Sequence, residues 1–274
     1  LVGSDSYDYF NNLGAGSISF VPTLYAQTDD VIRFSPADPK LGDIDDDGVP
    51  DIAVGRLPVR TSAELQLLIE KILRYPQTPP SAAFAADGDF TRGFSDHSDL
   101  MAAGVPMGWP VTRAYVDDLG VSAARSELLA AFNRGTSLIS FFGHSSFNDW
   151  TTLGLFGTAD AAALTNVTAP SLVIQLGCWG AYFVAPQADT LAHRLLLSGA
   201  QGAAAVVGSS ALSLETSDQL LGPPFVARLM QPGMTLGQAM IDAKRDVALN
   251  PWGDYRDVLL GWTLLGDPGM VVNP

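Results

Sequence analysis

The segments Ser137–His144, SLISFFGH, and Ser171–Cys178, SLVIQLGC, decide how this chain is read. Each is an apolar run of strand length that stops at a glycine followed by a reactive side chain: Gly143-His144 in the first, Gly177-Cys178 in the second. Runs so uniformly apolar fit strands covered on both faces, as in a parallel sheet between helical layers. Open parallel sheets hold their ligands and chemistry outside the carboxyl ends of their strands. Two neighbouring strands ending this way place an imidazole and a thiol in one crevice, the minimum equipment for nucleophilic attack on an amide.

Working outward, further strands are expected at Ala82–Ala86, Val111–Val116 and Ala203–Gly208, with helices at Ser122–Arg134, Thr158–Thr165 and Asp189–Ser198. This βαβα order predicts a mostly parallel sheet with helices on both sides and right-handed crossovers. TSAELQLLIEKILRY, Thr61–Tyr75, reads as a helix. Thr61 and Glu64 form a capping box, and Leu65, Leu68, Ile69, Ile72 and Leu73 fall on one stripe. Pro76 and Pro79-Pro80 stop it. They divide the chain into residues 1–80, the C-terminal part of a smaller N-terminal α/β subdomain, and residues 81–274, the main sheet.

The chain has 274 residues, 47% of them hydrophobic and 16% charged, which describes a well-buried globular protein. Its formal net charge of −14 argues against nucleic acid as a partner, because phosphate binding needs clustered Lys and Arg. One cysteine forms no internal disulfide, and no apolar run reaches the roughly 18 residues of a membrane span. The chain opens on Leu1-Val2-Gly3, which reads as a strand end under way, so upstream sequence is expected.

Three histidines could serve Cys178. His193 lies in a helical stretch, DTLAHRLLL, and His97 in a polar turn or helix start, SDHSD. Only His144 follows a strand beside a glycine. A lone cysteine is commonly a small buried hydrophobe, but the position of Cys178 between Gly177 and Gly180 favours chemistry.

From about Ile52 onward the chain resembles the gingipain-type cysteine peptidases. The resemblance rests on DIAVGRLPVRTSAE, AFAADGD, NRGTSLISFFGHSSFNDW, LVIQLGCWGAYF, GAQGAAAVVGSS and WTLLGDPGMVV, in that order. It implies a caspase-like three-layer α/β/α sandwich. It places the nucleophile on Cys178, its histidine on His144 and the carboxylate that orients the imidazole on Asp87, where relatives carry Glu. The oxyanion hole falls on the backbone N–H groups of Cys178 and Ser145. The family usually has glycine at the position of Ser145, so any positive φ there would be costly. The acid at the base of a pocket for Arg or Lys falls on Asp96, with Asp99 the alternative. Glu215 falls on the pocket wall. Trp150 and Trp179, beside the two catalytic candidates, either line the cleft or support its loops.

GDIDDDGVPD sets Asp43, Asp45 and Asp47 at alternate positions before Gly48 and Asp51. Oxygens at such spacing converge on calcium. Val54 stands where an EF-hand carries its bidentate Glu, so a structural calcium loop of another kind is expected. No organic cofactor is expected. Asn166-Val167-Thr168 matches a glycosylation sequon, a pattern common by chance.

The expected function is a calcium-stabilised cysteine endopeptidase acting on proteins or peptides after basic residues. By resemblance it is secreted or at the cell surface, and its partners include a propeptide or further domains of a longer precursor. Two alternatives stand beside it: a sortase-like transpeptidase using the same Cys-His site, and a catalytically weak, calcium-dependent binding module of a larger surface protein.

Overall fold

The computed structural model describes residues 1–89 and 91–273. In chain order the elements are β1 (Tyr25–Ala26), β2 (Ser35–Pro36), β3 (Gly55–Arg56), α1 (Ser62–Arg74), β4 (Ala82–Ala86), α2 (Gly93–Ala102), β5 (Val111–Tyr115), α3 (Val116–Leu119), α4 (Val121–Asn133), β6 (Leu138–Phe142), β7 (Asp149–Trp150), β8 (Phe156–Gly157), α5 (Thr158–Ala163), β9 (Ser171–Leu176), α6 (Leu191–Leu197), β10 (Ala203–Ser209), α7 (Glu215–Leu229), α8 (Leu236–Ala248), α9 (Arg256–Leu259) and β11 (Trp262–Leu265).

Seven strands form the main sheet in the order β3-β11-β10-β9-β6-β4-β5. The five from β5 to β10 are parallel. They are the five expected from sequence, within a residue at each end. Their apolar side chains alternate between two cores. Phe84, Phe142, Ile174 and Val207 face α2, α7 and α8 through Met101, Phe225 and Ala239. Ala83, Ile139, Val173 and Val206 face the other side, where Leu68, Leu128 and Leu195 supply α1, α4 and α6. The result is a three-layer α/β/α sandwich, each strand buried on both faces as its composition requires.

Beyond β10 the sheet reverses: β11 is antiparallel to β10, and β3 runs parallel to β11. These short strands carried no periodic signal. Helix α7 was also unexpected, because Pro223 and Pro224 lie inside it, where each removes a backbone donor. Gly222 before them lets α7 sit close against the sheet; a Cβ there would lie 2.6 Å from Leu176 Cδ2.

Helix α1 departs from its expected stripe. Ile69 and Leu73 are exposed, while Lys71 is fully buried. Lys71 Nζ donates to the carbonyls of Leu195 and Leu196 at 3.2 and 2.7 Å, capping the end of α6. The capping box is offset. Thr61 Oγ1 accepts the Glu64 N–H at 3.1 Å, but the Glu64 carboxylate takes the N–H of Arg60, one residue earlier than expected. β3 and α1, both before Pro76, take part in the sandwich.

Residues before β3 have little regular structure and are tied to the sheet through Arg56. Its buried guanidinium meets both oxygens of Asp38 at 2.6 and 2.7 Å and the carbonyls of Gly3 and Val21 at 2.8 and 2.7 Å. It also lies 4.8 Å from the centre of the Phe183 ring. Removing one partner of such a pair strands a buried charge. Asp38→Ala should therefore destabilise the fold by about 3–5 kcal/mol, read as a lower unfolding midpoint in urea.

Candidate active site

Ala86, Phe142 and Leu176 lie in one row across β4, β6 and β9, so the chain leaves all three strands at one level. The Asp87 N–H donates to the Phe142 carbonyl and the Gly143 N–H to the Leu176 carbonyl, each at 3.0 Å. Two glycines permit this spacing. A Cβ on Gly143 would lie 2.3 Å from Asp87 Cβ, and one on Gly177 would lie 2.2 Å from the Gly143 carbonyl oxygen. Both have φ of 153°, a backbone conformation that strongly favours glycine.

Asp87 is buried, 4% exposed. Its carboxylate accepts the Gly88 N–H at 2.8 Å, and the His144 backbone and the Thr151 hydroxyl lie close enough to lower its pKa. Burial raises its pKa; these contacts and the His144 charge oppose that. Thr151 in turn donates its N–H to the His144 carbonyl at 2.9 Å. His144 is exposed, its ring edge-on to Phe94 with centroids 5.3 Å apart. A cleft of about 390 Å³ runs beside it, lined by His144, Ser145, Ser146, Asp149, Thr151, Thr152 and Gly154.

Cys178 is half-buried, and its thiol donates to the Ser213 carbonyl at 3.6 Å. Among the described residues no hydrogen bond joins it to His144. Burial pushes the thiol pKa up; the Ser213 contact lowers it, and Asp218, Asp257 and Asp29 raise it further. The flanking backbone is pinned. Ser145 Oγ donates to the Cys178 carbonyl, and the Trp179 N–H to the Ala211 carbonyl, both at 2.7 Å. Trp179 takes a left-handed conformation, φ 63°. Among the described residues the N–H groups of Cys178 and Ser145 have no acceptor, leaving two donors free for an oxyanion. The cost expected at Ser145 does not arise, because Ser145 has no positive φ.

Sequence reading missed the support behind Ser213. Ser213 Oγ donates to Asp218 at 2.6 Å, Trp262 Nε1 donates to the same carboxylate at 2.9 Å, and the Leu214 N–H donates to Asp257 at 2.7 Å. In SLETSD and YRDVLL these acids look like ordinary solvated residues; only the packing of β11 and α9 beneath them buries both.

Other expected residues are placed differently. Trp150 is core, not cleft. It is fully buried, stacked on Phe141 at 4.7 Å and bonded through Nε1 to Gln175. Trp179 is half-buried, edge-on to Tyr182. Asp96 pairs with Arg92, and Asp99 with Arg113 and the Tyr115 hydroxyl, both at the exposed surface. Glu215 starts α7 and accepts from Gln219. His97 Nδ1 contacts the Gly93 carbonyl, while His193 is buried against Thr190 and pushed down to about pKa 3 by burial. Neither serves Cys178. Asn166 is also buried, both ends of its amide bonded to protein, so the sequon is structural.

In the aspartate loop, carboxylate oxygens of Asp43, Asp45 and Asp51 lie within 4.8 Å of one another. Asp47 stands outside this group. Its N–H donates to Asp43 and its own carboxylate accepts the Val49 N–H, closing the turn.

Asp218 gives a test of the site's wiring. Burial raises its pKa from 3.8 to about 7. Folding therefore favours the protonated form. The stabilisation is complete below the unfolded pKa and is lost as pH rises through about 7. Asp218→Asn, neutral at every pH, should gain stability relative to the parent as pH rises from about 4 to about 7, as measured by thermal unfolding.

A family model described as "Peptidase family C25" matches residues 1–273. Among solved structures, the complex of Porphyromonas gingivalis RgpB pro- and mature domains aligns with a TM-score of 0.77 at 20% identity over 90% of this chain. The Arg-specific cysteine proteinase gingipain R aligns with a TM-score of 0.78 at 17% identity over 99%. This chain spans only 62% and 63% of the length of those two chains. The separase of a Saccharomyces cerevisiae separase–securin complex shares the fold more distantly, with a TM-score of 0.51 at 14% identity, over 79% of this chain and 14% of that one. No curated protein sequence matches.

Proposed function

The chain belongs to peptidase family C25, and we propose that it carries the catalytic centre of a cysteine endopeptidase. The observation that supports this most is the convergence at one sheet edge: Asp87 against His144, Cys178 on the adjacent strand exit, and the unused N–H groups of Cys178 and Ser145. In the reaction, His144 takes the proton of Cys178, and the thiolate attacks the substrate carbonyl. The carbonyl oxygen becomes an oxyanion held by the two N–H groups, each worth about 3 kcal/mol. The C–N bond breaks as His144 returns its proton to the leaving amine. Water, deprotonated by His144, then hydrolyses the thioester and frees the thiol. Asp87 fixes the position of His144 and stabilises its charged form.

Acids around the crevice favour a substrate with a basic side chain, since Asp29, Asp218 and Asp257 all act on Cys178. A second reading, a catalytically weak binding module, has one observation in its favour: burial pushes the Cys178 thiol pKa up, which disfavours the thiolate. The propeptide seen with RgpB and the export of such enzymes extend to this chain under the peptidase reading.

Mass spectrometry separates the readings. An arginyl chloromethyl ketone should label Cys178 rapidly at neutral pH, an aspartyl analogue slowly, and His144→Ala should abolish the difference. Equal slow labelling in all cases would sink the peptidase reading.

We also assign Asp43, Asp45 and Asp51 as ligands of a structural calcium ion, on the convergence of their oxygens. Calcium should raise the unfolding temperature of the parent protein, chelator should lower it, and Asp51→Asn should be indifferent to both. A parent protein equally stable with and without calcium would remove this assignment.

A further inference from the structure

A cavity of about 610 Å³ lies between residues 28–31, residues 212–214 with the start of α7, and residues 252–257. It adjoins the nucleophile, because Ser213, on its wall, accepts the Cys178 thiol. It is not the pocket that the resemblance places beside α2. Glu215 does not line it and faces α2 instead, where a Cβ on Gly93 would lie 3.8 Å from Glu215 Oε1. The segment from Ser213 to Ser217 thus divides two spaces.

The chemistry of the cavity is specific. Asp29, Asp30, Asp254 and Asp257 face one cation, Arg256, which is held by Asp254 at 2.6 and 2.7 Å. Asp257 is occupied by the Leu214 N–H. Asp29 is half satisfied. Oδ1 accepts the N–H groups of Val31 and Ile32 at 2.5 and 2.7 Å, whereas Oδ2 is shielded from water and has no partner among the described residues. A carboxylate oxygen without a donor offers an acceptor for a cationic group. Val31, Leu214 and Leu220 offer apolar walls for an aliphatic stem, and Trp252, 89% exposed, offers an aromatic face.

We infer that this cavity is a second substrate subsite, selecting the cationic side chain of a residue that flanks the one whose carbonyl is attacked, with Asp29 as its ion-pair partner. The inference rests on the peptidase reading for its substrate, though not for its ligand. It also links recognition to reactivity: Asp29 and Asp257 hold the Cys178 thiol up, so a bound cation offsets them and frees thiolate.

The test has two arms. In the first, Cys178 is alkylated with iodoacetamide at neutral pH, with and without agmatine. Agmatine should speed alkylation severalfold in the parent protein and leave Asp29→Asn unaffected; n-butylamide of acetic acid, uncharged, should do nothing to either. Trp252→Ala, at the solvent rim, should weaken the agmatine effect and covers the case in which Asp29→Asn does not fold. In the second arm, peptides varied at each position around the cleaved bond should show one flanking position that prefers Arg or Lys over Gln by about tenfold. Asp29→Asn should erase that preference and keep the preference at the cleaved bond itself. If no peptide is cleaved, the peptidase reading fails and the alkylation arm alone decides the cavity. Alkylation indifferent to agmatine in the parent protein overturns the inference.

Discussion

The site depends on how closely the chain passes itself at the exits of β6 and β9. Backbone meets backbone there, with the Gly177 Cα turned toward the Gly143 carbonyl and Gly143 turned toward Asp87. Any side chain at either position would force the strands apart or out of register. A shift of one residue would move every alternating side chain from one core to the other, so the two glycines and the two cores enforce the same register. His144 and Cys178 inherit their juxtaposition from that constraint; no direct bond between them is required.

Buried charge is handled consistently elsewhere. Lys71 and Lys244 are each pushed down to about pKa 7 by burial, and each spends its donors on carbonyls near element ends: Leu195 and Leu196 of α6 for one, Leu259 of α9 and Trp262 of β11 for the other. Arg56 does the same for Gly3 and Val21 while pairing with Asp38. The two lysines thereby tie helix to helix and helix to strand, and Arg56 fastens the irregular N-terminal segment to the sheet, where hydrophobic burial alone has no fixed direction. The segment beneath Cys178 follows the opposite logic, since two buried carboxylates anchor Ser213 and Leu214. Burial is the main cause of the raised Cys178 pKa, and the negative potential of these two acids adds to it, so the groups that position the wall of the crevice also favour the protonated thiol.

Much of this was legible in the chain. Strands buried on both faces must be apolar along their whole length, so β4, β6, β9 and β10 announced themselves, and Gly-His and Gly-Cys at two of their ends marked the crevice. The close approach of the Asp43, Asp45 and Asp51 carboxylates follows from their crowding in one short loop. Asp47 was read with them, but only the folded turn shows that it serves the backbone. Trp150 illustrates the reverse error: proximity in sequence to His144 placed it in the cleft, whereas the β7–β8 hairpin turns it inward onto Phe141.

The sequence by itself determined the layers of the fold and which thiol and which imidazole leave adjacent strands at one edge of the sheet, because both follow from local rules of hydrophobic period and strand ends. Only the tertiary structure decided which acids matter. Asp96 and Asp99 sit within reach of arginines and are paired. Asp29, Asp218 and Asp257 are drawn from distant parts of the chain to the neighbourhood of one thiol. A carboxylate's role is set by its burial and its partners, and those are properties of contacts between residues far apart in sequence.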